Sequence, residues 1–166
     1  ERLVAELFEY TRAEYLREVP RPEWLDFGDL LRGTTEGLQP QADARGVHLE
    51  LSGAATPLLV RGDPMLLTRA MENLLDNAAK WAKSCVTVAA SRQHHEIVVV
   101  IADDGPGLSE EQIRETGIRG RRFDESVEGS GLGLVITSDI AETYGGDLTL
   151  ERGPLGGLQV ILRLPG

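Results

Sequence analysis

The segment MENLLDNAAKWAK (71–83) places four chemically active side chains on one side of a predicted helix. Asn73 and Asn77 are four residues apart and share a face, which Lys80 and Trp81 extend by one turn. Asparagine is unfavourable inside a helix because its amide competes for backbone hydrogen bonds. The amide oxygens suit Mg²⁺, which prefers hard oxygen ligands, while the ammonium can reach a phosphate and the indole offers a flat apolar face. The alternative interpretation is an ordinary solvated helix face.

The loop DDGPG (103–107) follows the apolar segment IVVVI, whose β-branched residues predict a buried strand. Asp103 would therefore emerge at the rim of the core, where its carboxylate can accept a hydrogen bond from an exocyclic amine. Gly105 and Gly107 allow a close backbone approach or a positive φ. An acidic β-turn is the alternative, because DG and PG are common turn dipeptides.

A second glycine motif, GSGLGL (129–134), opens a predicted helix with Gly129, Gly131 and Gly133. Backbone amides at a helix N-terminus bind phosphate. A long polar segment rather than a strand precedes the motif, which argues against a dinucleotide-binding fingerprint, and the lysine of a Walker A loop is missing. A flexible hinge is the alternative interpretation.

The three motifs are more informative together than apart. They offer a carboxylate for an aminopurine, an amide pair for a metal and a glycine-flanked helix start for phosphate. Four arginines also lie between Arg114 and Arg122. Together these are the parts of an ATP–Mg²⁺ site.

Composition limits the other possibilities. The 166 residues carry a formal net charge of −10, which disfavours nonspecific nucleic-acid binding. The longest apolar run is strand-sized, far below the roughly 20 residues that span a bilayer. The one cysteine, Cys85, excludes an internal disulfide and is interpreted as a small core residue. The chain begins with Glu1 rather than Met, which predicts a fragment of a longer protein.

The hydrophobic pattern predicts an α+β fold. Helices are expected over 1–17, within 25–46 after an extended piece, and over 64–83, 109–116 and 132–146. Strands are expected over 47–53, 57–63, 85–93 and 95–103, followed by a terminal hairpin. Asp63 is predicted to cap a helix that Pro64 begins, Pro40 falls inside a helical pattern, and Ser109 begins a capping-box pattern with a glutamate. Helices and a mixed or antiparallel sheet would form two layers.

These motifs, in this order and spacing, resemble the catalytic and ATP-binding domain of bacterial sensor histidine kinases, within the superfamily shared with gyrase-type ATPases. ENLLDNAAKW corresponds to the family's N box, DDGPG to its first glycine box and GSGLGL to its second. The resemblance covers about residues 25–166. It implies a Bergerat-type α/β sandwich whose mixed sheet is covered on one face by helices. The chain would then comprise the C-terminal part of a dimerisation helix (1–19), a linker (20–25) and the ATP-binding catalytic domain (26–166).

The resemblance also implies roles for the site residues. Asn77 would hold Mg²⁺, with Asn73 assisting at the metal or phosphates, and Lys80 would approach the phosphates. Trp81, standing where the family usually has Tyr, would flank the nucleotide, and Asp103 would bind the adenine amine. The remaining expected nucleotide contacts belong to the glycine boxes and to an R-G-x-R-like segment, namely Gly105, Gly107, Arg119, Arg122, Gly129, Gly131, Leu132 and Gly133. The chain departs from many members in placing Phe123 after these arginines rather than before them.

A difference within the superfamily concerns what happens to the γ-phosphate. ATP-hydrolysing members tend to have a glutamate four residues before the metal asparagine, as the general base for water. This chain has Asn73 there, and an amide has no accessible basic form. The resemblance therefore implies a protein-histidine kinase that delivers the γ-phosphate rather than hydrolysing ATP.

The implied partners lie outside this chain. The family's acceptor histidine belongs to a dimerisation hairpin, and His48, His94 and His95 lack its sequence context, so they are interpreted as ordinary surface or edge residues. The resemblance implies transfer to that hairpin and then to a response regulator, in a homodimeric sensor whose catalytic domain is cytoplasmic and whose parent is an inner-membrane protein. Two alternatives stay open, a serine kinase of the anti-sigma type and a nucleotide-binding module without transfer activity.

Overall fold

The computed structural model describes residues 23–54, 57–115 and 131–166. In chain order the described elements are β1 (Glu23–Asp26), α1 (Phe27–Ala44), β2 (His48–Ser52), β3 (Leu59–Gly62), α2 (Pro64–Trp81), β4 (Cys85–Gln93), β5 (Glu96–Asp103), α3 (Glu110–Glu115), α4 (Gly131–Thr143), β6 (Asp147–Arg152) and β7 (Leu158–Pro165). The predicted dimerisation helix (1–19) lies outside the described residues.

The main sheet has five strands in the order β2-β4-β5-β7-β6. Strand β2 runs parallel to β4, and the other neighbours are antiparallel. Residues from one face of β4, β5 and β7 form a continuous apolar core. Helices α1, α2 and α4 also pack against this core. The mixed sheet and its helical layer confirm the predicted α+β sandwich.

A small ribbon stands apart from that sheet. Strand β3 pairs antiparallel with β1, where Leu25 lies opposite Val60. The predicted linker (20–25) is therefore wrong for its last three residues, which belong to a strand. The reason is that Val60 is buried at 1% exposure, so the inner face of the ribbon is part of the core.

Helix α1 continues through Pro40 without a break. Proline removes one backbone hydrogen bond, and both Pro40 and Glu36, whose carbonyl would have accepted it, are exposed. Water can therefore solvate that carbonyl, which lowers the cost of the proline. At the other end Asp26 caps the helix by accepting from Gly28 N at 2.9 Å and also binds Leu58 N at 3.0 Å.

Helix α2 carries the asparagine pair and begins as predicted. Asp63 Oδ1 accepts from Met65 N at 2.7 Å and from Leu66 N at 3.1 Å, and Pro64 follows as the first helical residue. The opposite face of the helix is buried at 2% exposure or less, through Leu67, Met71, Leu74 and Leu75. Burying each such side chain contributes roughly 1.5–3 kcal/mol. This face therefore fixes the orientation of the polar stripe, which is formed by Asn73, Asn77, Lys80 and Trp81.

The two helices after β5 are bounded by recognisable capping residues. Helix α3 is preceded by a capping box. Ser109 Oγ accepts from Gln112 N at 3.1 Å, and Gln112 Oε1 accepts from Ser109 N at 2.9 Å. The capping box therefore exists, but Gln112 rather than a glutamate closes it. Helix α4 ends at Thr143, and Gly145, two residues later, has a φ of 81°, the left-handed conformation that glycine commonly adopts just after a helix.

Candidate functional site

A cavity of about 460 Å³ opens between the end of α2 and the ends of β5 and β7. Four residues predicted for the site, each from α2 or the first glycine motif, meet in its wall: Asn77, Trp81, Asp103 and Gly107. Its other lining residues are Pro106, Leu108, Gln112, Leu134 and Leu158. The wall is therefore largely apolar with a few polar groups, which is typical of a small-molecule site.

Asp103 is the buried charge of this cavity, with 3% of its surface exposed. Its Oδ1 accepts from Gly105 N at 2.9 Å and from Leu158 N at 3.4 Å. Burial raises the pKa of this carboxyl, and the two backbone hydrogen bonds oppose the rise. Among the described residues both donors bind Oδ1, which leaves Oδ2 available to a ligand that donates a hydrogen bond.

The glycines beside Asp103 permit close contacts that a side chain would block at Gly105 and strain at Gly107. A Cβ atom on Gly105 would lie 2.2 Å from the carbonyl oxygen of Trp81. Gly107 has a φ of +69°, and a Cβ there would lie 3.1 Å from the carbonyl carbon of Gly157. The first glycine motif thus brings the end of β5 against both α2 and the β6–β7 turn.

Asp104 was not predicted as a site residue, yet it organises the end of α2. Its carboxylate accepts from Lys83 N at 2.8 Å, from Ser84 N at 3.0 Å, from Ser84 Oγ at 2.6 Å and from Cys85 N at 3.2 Å. Hydrogen bonds from Ser84 and its neighbours hold the pKa of this carboxyl well below its usual range. The DD pair before the glycine was the available sequence signal, but its four donors come from 19 to 21 residues earlier in the chain.

The polar stripe of α2 only partly reaches the cavity. Asn77 is buried at 9% exposure and lines it, and Trp81 lines it with 40% of its surface exposed. Asn73 is half-buried, and a Cβ on Gly133 would lie 3.6 Å from Asn73 Cβ. Lys80 is exposed, and neither it nor Asn73 belongs to the cavity wall.

The second glycine motif is described only from its middle onward. Gly131 begins α4, followed by Leu132 and Gly133 in its first turn. Gly129, Arg119 and Arg122 lie outside the described residues.

The apolar part of the wall was missed by the sequence reasoning. Pro106 and Leu108 flank Gly107, Leu134 follows Gly133, and Leu158 begins β7. Leu108 directly follows the first glycine motif and Leu134 is the last residue of the second, which gave a usable signal for both. Leu158 gave none, because β7 reaches β5 only through tertiary pairing.

Two features are absent from the part of the chain that the structure describes. No three His, Cys, Asp or Glu side chains cluster there in a way that could hold a metal ion. None of the described helices is both long and apolar enough to cross a bilayer.

Comparison with known families identifies this arrangement. The family described as histidine kinase-, DNA gyrase B- and HSP90-like ATPases matches residues 62–166, which include the cavity wall. The chain belongs to this ATPase family. The match covers both glycine motifs and α2, the elements that carry the predicted site.

Within this ATPase family the similar curated proteins are sensor kinases. The chain is 46% identical to the sensor protein kinase CarS of Pseudomonas aeruginosa over 121 residues, which are 72% of this chain and 27% of CarS. It is 38% identical to the signal transduction histidine-protein kinase AfsQ2 of Streptomyces coelicolor over 146 residues, 86% of this chain and 23% of AfsQ2. The chain thus spans about a quarter of the length of these relatives.

Two solved structures share the fold of this chain over nearly their whole length. The mycobacterial sensor histidine kinase MprB is 30% identical with a TM-score of 0.75, covering 87% of this chain and 97% of that one. The ATP binding domain of PrrB from Mycobacterium tuberculosis is 26% identical with a TM-score of 0.73, covering 89% and 98%.

Proposed function

We propose that this chain is the ATP–Mg²⁺-binding catalytic domain of a two-component sensor histidine kinase. The observation that carries the proposal is the buried Asp103 carboxylate, which opens into a largely apolar cavity beside Asn77 and Trp81. A largely apolar cavity with a buried carboxylate suits an aminopurine, because the carboxylate accepts a hydrogen bond from the exocyclic amine.

Base recognition rests on Asp103. Its Oδ1 is held by backbone donors, so its Oδ2 accepts from the adenine amine. Trp81 flanks the base with its indole face, and Gly105 and Gly107 keep the backbone close enough to close the pocket.

The donor set suits a metal that arrives with the nucleotide. Asn77 offers an amide oxygen in the cavity wall, with Asn73 one turn earlier on the same helix, and the described residues hold no acidic cluster that would bind a metal alone. Mg²⁺ is usually held by one or two protein oxygens together with substrate phosphates and waters. When bound it neutralises phosphate charge. We therefore expect metal binding to depend on the nucleotide.

The phosphate end is assigned to the residues beyond Asn77. Lys80, Arg119 and Arg122 supply positive charge, and the backbone of Gly129, Gly131, Leu132 and Gly133 supplies N–H donors at the start of α4. Asn73 stands where a hydrolysing enzyme would need a carboxylate base, which favours transfer over hydrolysis.

The acceptor is a histidine on a dimerisation hairpin, in the same or the partner subunit of a homodimer. Residues 1–19 contribute the end of that hairpin, and residues 20–22 link it to the catalytic domain that follows. From the histidine the phosphate passes to a response regulator, in a phosphorelay that begins at an inner-membrane sensor with this domain in the cytoplasm.

The first experiment measures ATP binding by calorimetry with Mg²⁺ and with a chelator. We expect binding that depends on Mg²⁺ and that Asp103→Ala abolishes. Unchanged ATP affinity in that variant would refute the adenine assignment. Circular dichroism of the variant separates loss of binding from loss of fold.

A second experiment identifies the acceptor. Labelled phosphate should appear on protein only when the dimerisation hairpin of the parent protein is supplied, and the product should be labile to acid as a phosphohistidine is. An acid-stable product would favour a serine kinase, and ATP binding without any transfer in the complete protein would favour a nucleotide-binding module.

A further inference from the structure

The turn between β6 and β7 approaches Asp103 most closely at Gly157. A Cβ atom on Gly157 would lie 2.1 Å from Asp103 Oδ1, 2.4 Å from the Asp103 carbonyl oxygen and 2.8 Å from Gly105 N. Cβ atoms in proteins essentially never approach other heavy atoms within 3.0 Å. A residue with a side chain at this position would therefore displace the carboxylate or the strand that carries it.

The same turn also supplies one of the donors that hold Asp103. Leu158 N donates to Oδ1 at 3.4 Å, so packing at Gly157 and hydrogen bonding at Leu158 act on one carboxylate. The turn is itself fixed, since Gly153 N donates to the Gly157 carbonyl at 2.8 Å. The position of the Asp103 carboxylate thus depends on a turn that lies more than 50 residues later in the chain.

We propose that Gly157 is a positioning residue for base selectivity. It lets Asp103 stay aimed into the cavity, where the carboxylate accepts from the exocyclic amine of adenine. Hypoxanthine carries a carbonyl oxygen at that place, and two acceptors cannot share a hydrogen bond. This inference rests on the proposed ATP binding at the same site.

The test compares ATP with ITP by calorimetry on the 166-residue chain in the presence of Mg²⁺. The wild-type chain should prefer ATP, and Gly157→Ala should lower the ratio of ATP to ITP affinity by about tenfold, or about 1.4 kcal/mol. A residue that only stabilised the fold would leave this ratio unchanged, which makes the ratio the decisive readout.

Gly156→Ala is the matched control. Gly156 has a φ of +92° in the same turn, but a Cβ there would meet nothing within 4 Å. Its substitution should strain the turn and lower Tm while leaving the ATP to ITP ratio at the wild-type value. A ratio that falls equally in both variants, or in neither, would overturn the proposal.

A double-variant measurement covers the case in which Gly157→Ala folds but binds neither nucleotide. In an Asp103→Ala background the contact with the carboxylate is gone while the two contacts with backbone atoms remain, so Gly157→Ala should destabilise the chain less there than in the wild type, as measured by urea unfolding. An equal or larger loss in that background would contradict a role through the carboxylate. A wild-type chain that binds neither nucleotide would contradict the proposed function itself, before any variant is compared.

Discussion

Asp103 and Asp104 are neighbours in the chain but serve two different regions of the molecule. Asp103 is buried on the cavity side, where two backbone donors bind one of its oxygens and burial raises its pKa. Asp104 lies on the side of the α2–β4 connection, where donors from Lys83, Ser84 and Cys85 surround it and its pKa is lowered. Asp103 has an oxygen left for a ligand, whereas the carboxylate of Asp104 is already hydrogen-bonded to the protein. The difference shows that a carboxylate can take part in a binding site only where the protein leaves some of its hydrogen-bonding capacity unused.

The largest expected effect separates the two residues by function. Asp103→Ala should weaken ATP binding by about a hundredfold, which abolishes the binding detected by calorimetry, since it removes a charged hydrogen-bond acceptor. Asp104→Ala should leave ATP affinity within about threefold, because its carboxylate binds the backbone rather than the cavity. Calorimetry on both variants checks this. The comparison fails if Asp104→Ala loses as much affinity as Asp103→Ala.

The next effect concerns stability and should fall on the other residue. Asp104→Ala leaves backbone donors after α2 without their acceptor, and we expect the free energy of unfolding to fall by about 1–2 kcal/mol, as for a lost helix cap. Asp76→Ala is the control, because Asp76 is exposed and pairs with Arg45 only at 3.6 Å on the surface. Urea unfolding measures both, and equal losses would argue against the role given to Asp104.

The pH dependence of stability should differ in sign between the two. Asp104 has a lowered pKa, so its stabilisation is present above about pH 3.9, the unfolded value, and is lost as the pH falls toward the folded pKa. Asp103 has a raised pKa, so its contribution is most favourable below about pH 3.9 and declines as the pH rises through the folded pKa.

Urea unfolding between about pH 3 and pH 7 tests these signs. Asp104→Ala should reduce the loss of stability at acidic pH. Asp103→Asn should be more stable than the wild type at pH 7 and equal to it at about pH 3, where the carboxyl is protonated. Parallel pH curves for wild type and both variants would contradict the assignment.

The smallest expected effect concerns Trp81, which links the two regions. Its ring lines the cavity, and its carbonyl oxygen lies where a Cβ of Gly105 would clash. Trp81→Phe keeps an aromatic face and should weaken ATP binding by only about two- to fivefold. Trp24→Phe is the control, since Trp24 is 64% exposed on β1 and lies outside the cavity wall. A similar loss in both variants would show that stacking at Trp81 contributes nothing specific.

Much of the site followed from local sequence, and the parts that did not depend on distant pairing. The cap at Asp63, the buried strand before Asp103 and the asparagine stripe could be predicted because each pattern lies within one element. Gly157 and Leu158 could not, because their role depends on β7 pairing with β5 across residues 104–157. Lys80 was predicted from its spacing and from the family resemblance, and spacing fixes the helix face but not how far the cavity extends along it.

The fold shows the same division between features that local sequence predicts and features that depend on distant pairing. Pro40 was a poor guide to a helix end, because an exposed position tolerates a missing hydrogen bond better than a buried one. Residues 23–25 looked like linker because two prolines precede them, whereas their pairing partner β3 lies more than 30 residues away. Local rules predicted the elements well, and tertiary contacts decided where marginal segments belong.

The order of the strands also affects how the chain can vary in length. Four of the five strands of the sheet form two local hairpins, β4–β5 and β6–β7, which are joined side by side along β5 and β7. The chain from 104 to 146, which includes α3 and α4, therefore connects two units that each close locally. Doubling the length of a flexible loop costs only about 0.6 kcal/mol of closure entropy. Related proteins can thus lengthen or shorten the part of this connection between α3 and α4 while leaving the β5–β7 seam and its buried carboxylate intact.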